Sequence, residues 1–220
     1  MDKVSNQILK GYFQGIFPMS NSREDDKIFF VNPDYRAIIP IDNVHISKSL
    51  TRAIKKRDYK VTTNKSFSKV MDSCRSPLFG REETWINNTI FKTFNELHMN
   101  GFAHSIEIWK DHSLVGGIYG IAIGSVFFAE SMFSSISNAS KITLIFLLAK
   151  LRASDFNLFD IQFLTPHLIS MGGVEISRQK YLNSLNNNIL LKNKFPDIDS
   201  SKESDWLITT SYLQEIKDIS

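Results

Sequence analysis

Cysteine is nearly absent from this 220-residue chain. Cys74 stands alone, so no intramolecular disulfide can form and a stapled secreted fold is excluded. The five histidines (His45, His98, His104, His112 and His167) and Cys74 lack the spacing of a zinc site, and no metal is expected. Long apolar runs are missing too. The longest near the middle, Ile142 to Ala149, contains Thr143 and is far too short to span a bilayer. The opening MDKVSNQILKGYF has no apolar stretch of signal-peptide length, so a reducing cytoplasm and no membrane contact are expected. What is present suits a folded protein: 42% hydrophobic and 22% charged residues, with 17 Phe, 6 Tyr and 3 Trp to fill a core. The length allows one large domain, or one with a small appendage.

Net charge is small except in one place. Residues 46–60, ISKSLTRAIKKRDYK, hold six basic side chains (Lys48, Arg52, Lys55, Lys56, Arg57, Lys60) and one acid, Asp58. Their local net of +5 exceeds the +3 of the whole chain, so everything else sums to −2. Ser47 or Ser49 can cap a helix here, with Leu50 and Ile54 facing inward at i, i+4. The outer face is then either simply solvated or a row of phosphate contacts.

Residues 1–34 are short, turn-rich and aromatic, which predicts a small N-terminal subdomain leaning on the rest. A catalytic-size domain follows over 35–192, and the polar run KNKFPDIDSSKESD predicts a loosely packed C-terminal tail over 193–220. Within the larger domain, strands are predicted at 37–41 and 59–63 and helices at 66–74 and 87–100, with the loop RSPLFGREE between the helices. The centre is the most regular part: strands at 104–110, 113–123 and 126–130, then a long apolar helix over 141–154 capped by Asn138 or Ser140. A buried strand over 158–163 and helical segments over 164–170 and 177–190 complete the reading.

This order resembles the core of GNAT-type acyltransferases. It implies an α+β fold whose mixed, mostly antiparallel sheet is flanked by helices, and fold alone assigns no reaction. Acetyl-CoA users of that fold carry a Gly-rich turn after the third meander strand, where backbone N–H groups bind pyrophosphate. Here the segment is Glu130-SMFSSISNASK, without a glycine, so a CoA thioester substrate is disfavoured.

Three places carry candidate chemistry. Phe127-Phe128-Ala129-Glu130-Ser131-Met132-Phe133-Ser134 ends an apolar strand on a carboxylate. In the strand Leu158 to Phe163, period two puts Asp160 and Gln162 on one face. One such polar residue is often merely satisfied by a neighbour; two beside a strand bearing Glu130 point to a site. Thr84-Trp85-Ile86 precedes a helix, where Trp85 either packs or stacks on a ligand.

The strings GYFQGIFPM, NPDYRAIIP, HISKSL, TWI, GFAHSIEIW, LVGGIYG, FFAESMFS, NASK, DIQF, PHL and MGGVEISRQKYL run nearly end to end, over roughly residues 9–185. In this combination the chain closely resembles the bacterial leucyl/phenylalanyl-tRNA–protein transferase family. The resemblance implies transfer of Leu or Phe from aminoacyl-tRNA to the N-terminal Arg or Lys of a protein, creating a degradation signal. Leu-tRNA, Phe-tRNA and acceptor proteins are the implied partners, and no cofactor is implied. It assigns catalysis to Asp160, Gln162 and Glu130, and the tRNA 3′ end to Trp85 and Tyr12. The basic residues Lys48, Arg52, Lys55, Lys56 and Arg57 then read as a tRNA-backbone patch. Ile118, Phe128, Met132, Phe133 and Leu144, adjacent to the site strands, are candidates for the aminoacyl pocket.

The chain departs from the family in places. Met19 stands where a Trp commonly follows F-P, Phe29-Phe30 replaces a W-W pair, and Ala129 replaces the Gly before the glutamate. A longer N-terminal segment of many members has no counterpart, so a reduced small domain is expected. Two other readings compete: a CoA-dependent acyltransferase of the same fold, and an RNA-binding module without catalysis.

Overall fold

The computed structural model describes residues 1–77 and 83–219, with side chains to 216. The middle of the predicted loop RSPLFGREE, residues 78–82, lies outside the described residues. A seven-stranded sheet forms the frame. In chain order its strands are β3 (Tyr35–Ile38), β4 (Lys60–Thr63), β5 (Ala103–Lys110), β6 (Ser113–Ile123), β7 (Val126–Ser134), β8 (Leu158–Gln162) and β9 (Val174–Ser177). They lie in the order β4-β5-β6-β7-β8-β3-β9, and every pairing is antiparallel except β7 with β8. This is the mixed, mostly antiparallel sheet that the sequence predicts. A two-stranded ribbon of β1 (Phe17–Met19) and β2 (Phe29–Val31) lies apart from it.

The β5–β6–β7 meander follows from its alternation and its turns. Asp111 and His112, both at positive φ, make the two-residue connection whose twist suits a hairpin. The crossover to the parallel strand is α5 (Ala139–Ala153), apolar almost all round because it is buried between the sheet and α8 (Glu203–Ile219). Asn138 does precede α5, but its side chain caps nothing. Ser134 Oγ instead accepts from the Ser140 N–H at 3.3 Å. On the opposite face lie α1 (Lys3–Phe13), α3 (Phe67–Cys74) and α4 (Asn88–Met99), packed through Ile8, Tyr12, Val70, Phe94 and Tyr119. The short helix α6 (Pro166–Ile169) and then α7 (Arg178–Asn188) follow β8 and β9. Among the described residues no helix is long and apolar enough to cross a membrane.

Two segments differ from expectation. The first is the turn-rich N-terminus, which contains α1, capped by Asp2 and burying Ser5, Ile8, Leu9 and Tyr12 on one stripe. Gly11 is no turn here. A Cβ at that position would stand 2.6 Å from the Phe30 ring, so glycine permits close packing of α1 on β2. The second is the polar tail, which is not loosely packed. It ends in α8, whose Trp206, Tyr212, Leu213 and Ile216 are buried in the core, and Tyr212 Oη donates to the Ile41 carbonyl at 2.6 Å.

Candidate active site

The parallel ladder of β7 and β8 is short, running only from Val126–Leu158 to Phe128–Asp160. Beyond it each strand carries an irregularity. On β7, Gly120 faces Ala129 and Tyr119 faces Ser131, which leaves Glu130 as the extra residue of a bulge. Bulges re-aim side chains at just such places. Gly120 allows the close approach: a Cβ there would lie 2.2 Å from the Phe128 carbonyl oxygen. On β8, Gln162 has φ 63°, and the Phe163 N–H donates to the Ile161 carbonyl at 2.7 Å. Positive φ with an i→i+2 hydrogen bond marks the rarer, strained γ-turn. The expected strand alternation therefore fails at this point. Ile161, Gln162 and Phe163, three residues in a row, all line one cavity of about 550 Å³.

Glu130 and Gln162 meet across the gap. Gln162 Nε2 donates to Glu130 Oε1 at 2.7 Å, and Tyr12 Oη donates to the same oxygen at 2.7 Å. Glu130 Oε2 is buried and has no hydrogen-bond partner among the described residues. Burial pushes the Glu130 carboxyl up to about 8, and nearby Asp160 adds to the rise. Tyr12, Arg36 and Gln162 oppose it without prevailing. The group is thus mostly protonated at neutral pH.

Asp160 serves a different set of partners. Its carboxylate takes Arg36 Nε at 2.9 Å and Arg36 Nη2 at 2.7 Å, Tyr181 Oη at 2.7 Å, and the Gln162 backbone N–H at 2.9 Å. Arg36 and Asp160 are both buried. Burial works against the Arg36 charge, but Asp160 beside it holds the guanidinium still more firmly protonated. Arg36 also donates to the Gly15 carbonyl and lies 4.3 Å over the Phe17 ring, tying the N-terminal segment to the sheet. Asp160 therefore reaches Gln162 through the main chain at the γ-turn, whereas the Gln162 side-chain amide donates to Glu130.

The other expected residues divide. Trp85, Ile118, Met132 and Phe133 line the cavity. Phe128 and Leu144 do not: both are 0% exposed, Phe128 packed on Tyr12 and Leu144 within the core, so neither walls an aminoacyl pocket. Tyr12 is also 0% exposed and stands behind Glu130, to which its hydroxyl donates. Met19 packs against the core, off the cavity wall. On α2 (Lys48–Lys55), capped by Ser47, residues Lys48, Arg52 and Lys55 are exposed, as is Lys56 just beyond. Arg57 differs from these. It pairs with Glu203 at 3.1 Å and lies 4.5 Å over the Trp206 ring, so it belongs to the α8 contact.

Arg36, Tyr181 and His167 were not singled out in the sequence. A strand predicted from Ala37 stops one residue short of Arg36, whereas β3 begins at Tyr35. Nothing local marks Tyr181, which is buried by tertiary packing. His167 lines the cavity with a shielded Nε2 that has no partner among the described residues. Burial, aided by Lys141, lowers its pKa and keeps it neutral.

Within this α+β fold, parallel strands that part after a short ladder turn an acid and an amide onto the cavity between them. Comparison with known sequences narrows this. The family profile described as leucyl/phenylalanyl-tRNA protein transferase matches residues 38–186. Proteins named leucyl/phenylalanyl-tRNA–protein transferase from Ruegeria sp. (strain TM1040) and Cereibacter sphaeroides (strain KD131) are 48% and 49% identical to it. The first alignment covers 82% of this chain and 84% of the relative, the second 79% of each. The counterpart from Maricaulis maris is 45% identical over 80% of this chain and 82% of its own. The chain belongs to the leucyl/phenylalanyl-tRNA–protein transferase family. A solved structure described as L-PGS from Bacillus licheniformis matches 74% of this chain and 55% of its own at TM-score 0.43 and 11% identity, too distant to carry an argument.

Proposed function

We propose that this protein transfers Leu or Phe from aminoacyl-tRNA to a protein N-terminus beginning with Arg or Lys, with chemistry in the cavity between β7 and β8. Membership of the family supports the reaction, and the Glu130–Gln162 contact at the γ-turn is the observation that supports this location for it.

The ester of aminoacyl-tRNA is already activated, and an acceptor α-amine has a pKa of about 8, so much of the work is positioning. Gln162 gives its Nε2 to Glu130, and no hydrogen bond among the described residues uses its Oε1. That oxygen is free to accept an N–H of the attacking amine. A carboxamide is too weak a base to keep the proton. In the balanced reaction the N–C bond forms, the bond from carbonyl carbon to ribose oxygen breaks, and one amine proton passes to the ribose oxygen. Glu130, raised to about 8, is matched to the amine and can relay that proton through its unpartnered Oε2. Burial keeps it mostly neutral; an arriving ammonium favours its charged form and would hold itself there. Asp160, locked by Arg36 and Tyr181, is a positioning residue for the Gln162 backbone.

Ile118, Met132, Phe133 and Leu168 give the cavity an apolar side suited to Leu or Phe. Such a wall discriminates a methylene by about 1–3 kcal/mol and needs no editing. Lys48, Arg52, Lys55 and Lys56 supply a backbone-contact row for tRNA. The direct test follows labelled Leu and Phe from charged tRNA to peptides starting with Arg, Lys, Met or Glu. Transfer to the first two only is expected; transfer to none, or to all alike, would contradict the reading.

A further inference from the structure

A protein N-terminus that begins with Arg or Lys brings two positive charges, its α-ammonium and its side chain. The first must be given up before attack, because only the free amine is a nucleophile. The second is kept: a guanidinium holds its proton throughout, and a Lys ammonium does so at neutral pH. The site therefore meets two different demands. One is for a group that titrates with the amine, the other for a standing negative charge.

The cavity between β7 and β8 is lined by two carboxyl groups. Glu130 is the inner one, 8% exposed, with an unpartnered Oε2. Burial keeps it mostly neutral until a cation arrives, which suits the amine and leaves a permanent cation poorly served. Glu83 is the outer one. It lines the same cavity but is exposed, so it stands at the rim. No ion pair among the described residues uses it. The chain just after it is anchored: Thr84 Oγ1 accepts the Ile86 N–H at 3.1 Å, the Trp85 carbonyl accepts from Ser20 Oγ at 2.7 Å, and Asn87 caps α4. Among the described residues that line this cavity there is no Lys or Arg, and His167 is kept neutral. The charged lining is acidic only, which suits a basic acceptor.

We propose that Glu83 is a specificity-determining residue, which holds the basic side chain of the acceptor's N-terminal Arg or Lys at the rim while the α-amine points inward to Glu130 and Gln162. This rests on the aminoacyl-transfer reading given above and adds the group that tells Arg and Lys from other N-termini. A neutral first residue gains nothing from a carboxylate there, and an acidic one is repelled. Because Glu83 faces solvent, its pairing is worth about fivefold in affinity and is screened by salt.

The test removes the charge from each partner in turn. Two short peptides that differ only at the first residue, Arg or its uncharged isostere citrulline, are titrated against the full-length protein by fluorescence anisotropy at low and high salt. Wild type should bind the Arg peptide about fivefold more tightly at low salt, and high salt should shrink the difference. Glu83→Gln should abolish the preference by weakening the Arg peptide alone, and Glu83→Lys should reverse it. In steady-state transfer, Glu83→Gln should raise KM for the Arg peptide by about fivefold and leave kcat within about twofold. A preference undiminished in Glu83→Gln would overturn the proposal, because Glu130 alone would then suffice. So would an equal loss on both peptides, which reports a change of shape and not a lost charge, or a wild type indifferent to the two. Binding of 3′-deoxy-3′-leucylamido-adenosine is measured on the same proteins and should stay within about twofold; a loss confined to that ligand would give Glu83 to the tRNA side and overturn the proposal. Wild type that transfers to the Arg peptide while Glu83→Gln keeps the preference overturns the inference alone. Wild type that transfers nothing while the preference still depends on Glu83 overturns the reaction and leaves the side-chain site standing.

Discussion

Glu130 is the residue whose environment says most. Its carboxyl is buried, takes two donors on one oxygen and leaves the other without a partner. Its pKa rises from 4.5 to about 8, so the folded protein holds a proton that the unfolded chain releases. That contribution is fully present below about pH 4.5 and is lost as pH climbs through about 8. Glu130→Gln keeps the shape and removes the titration. Thermal unfolding of the two proteins at pH 5 and pH 8.5 should show wild type losing ground to the variant at the higher pH, by an amount on the order of a few kcal/mol. A pH-independent difference would mean that Glu130 is solvated and ordinary. Tyr12→Phe is a finer probe. It keeps the ring on Phe128 and deletes one donor to Glu130, so the pH profile of transfer should shift upward while the fold persists.

The elements around the site explain why part of it was legible in the sequence and part was not. The meander, α5 and β8 rest on local alternation and apolar periodicity, and so Glu130, Asp160 and Gln162 could be placed on strands. Their actual directions depend on a bulge and a γ-turn, which are register effects between strands and leave no mark in periodicity. Asp160 and Gln162 therefore serve different partners, although regular alternation would put them on one face. Helix α1 was masked by glycines, one of which exists only to admit the Phe30 ring, and α8 was masked by the polar run before it. The Arg36–Asp160 pair joins β3 to β8 and anchors Gly15 as well. Arg36→Met leaves a buried carboxylate unpaired and should destabilise the protein by about 3–5 kcal/mol. In Arg36→Met/Asp160→Asn much of that loss should return, with transfer still low; denaturant melts and activity together check this. A double variant no more stable than the single one would refute the pairing as the source.

At the scale of the whole molecule, a chain with a modest net charge carries a row of four exposed cations, Lys48, Arg52, Lys55 and Lys56, on and just after α2. Arg57 looks equivalent to its neighbours in sequence, but the fold commits it to Glu203 and Trp206. Replacing Arg52, Lys55 and Lys56 by Ala should weaken tRNA binding at low salt and reduce the slope of log affinity against log salt by about one per lost phosphate contact. Arg57→Ala should change that slope least. Equal slopes for all variants would remove the patch from the tRNA interface. The catalytic reading makes a sharper demand, because it asks Gln162 to act on the attacking amine and not on tRNA binding. The deciding measurement is the single-turnover rate of transfer by Gln162→Ala, with the affinity for charged tRNA determined on the same protein. The rate should fall by about a hundredfold or more while affinity stays within about threefold. A rate near wild type, or a loss wholly matched by weaker tRNA binding, would contradict the account.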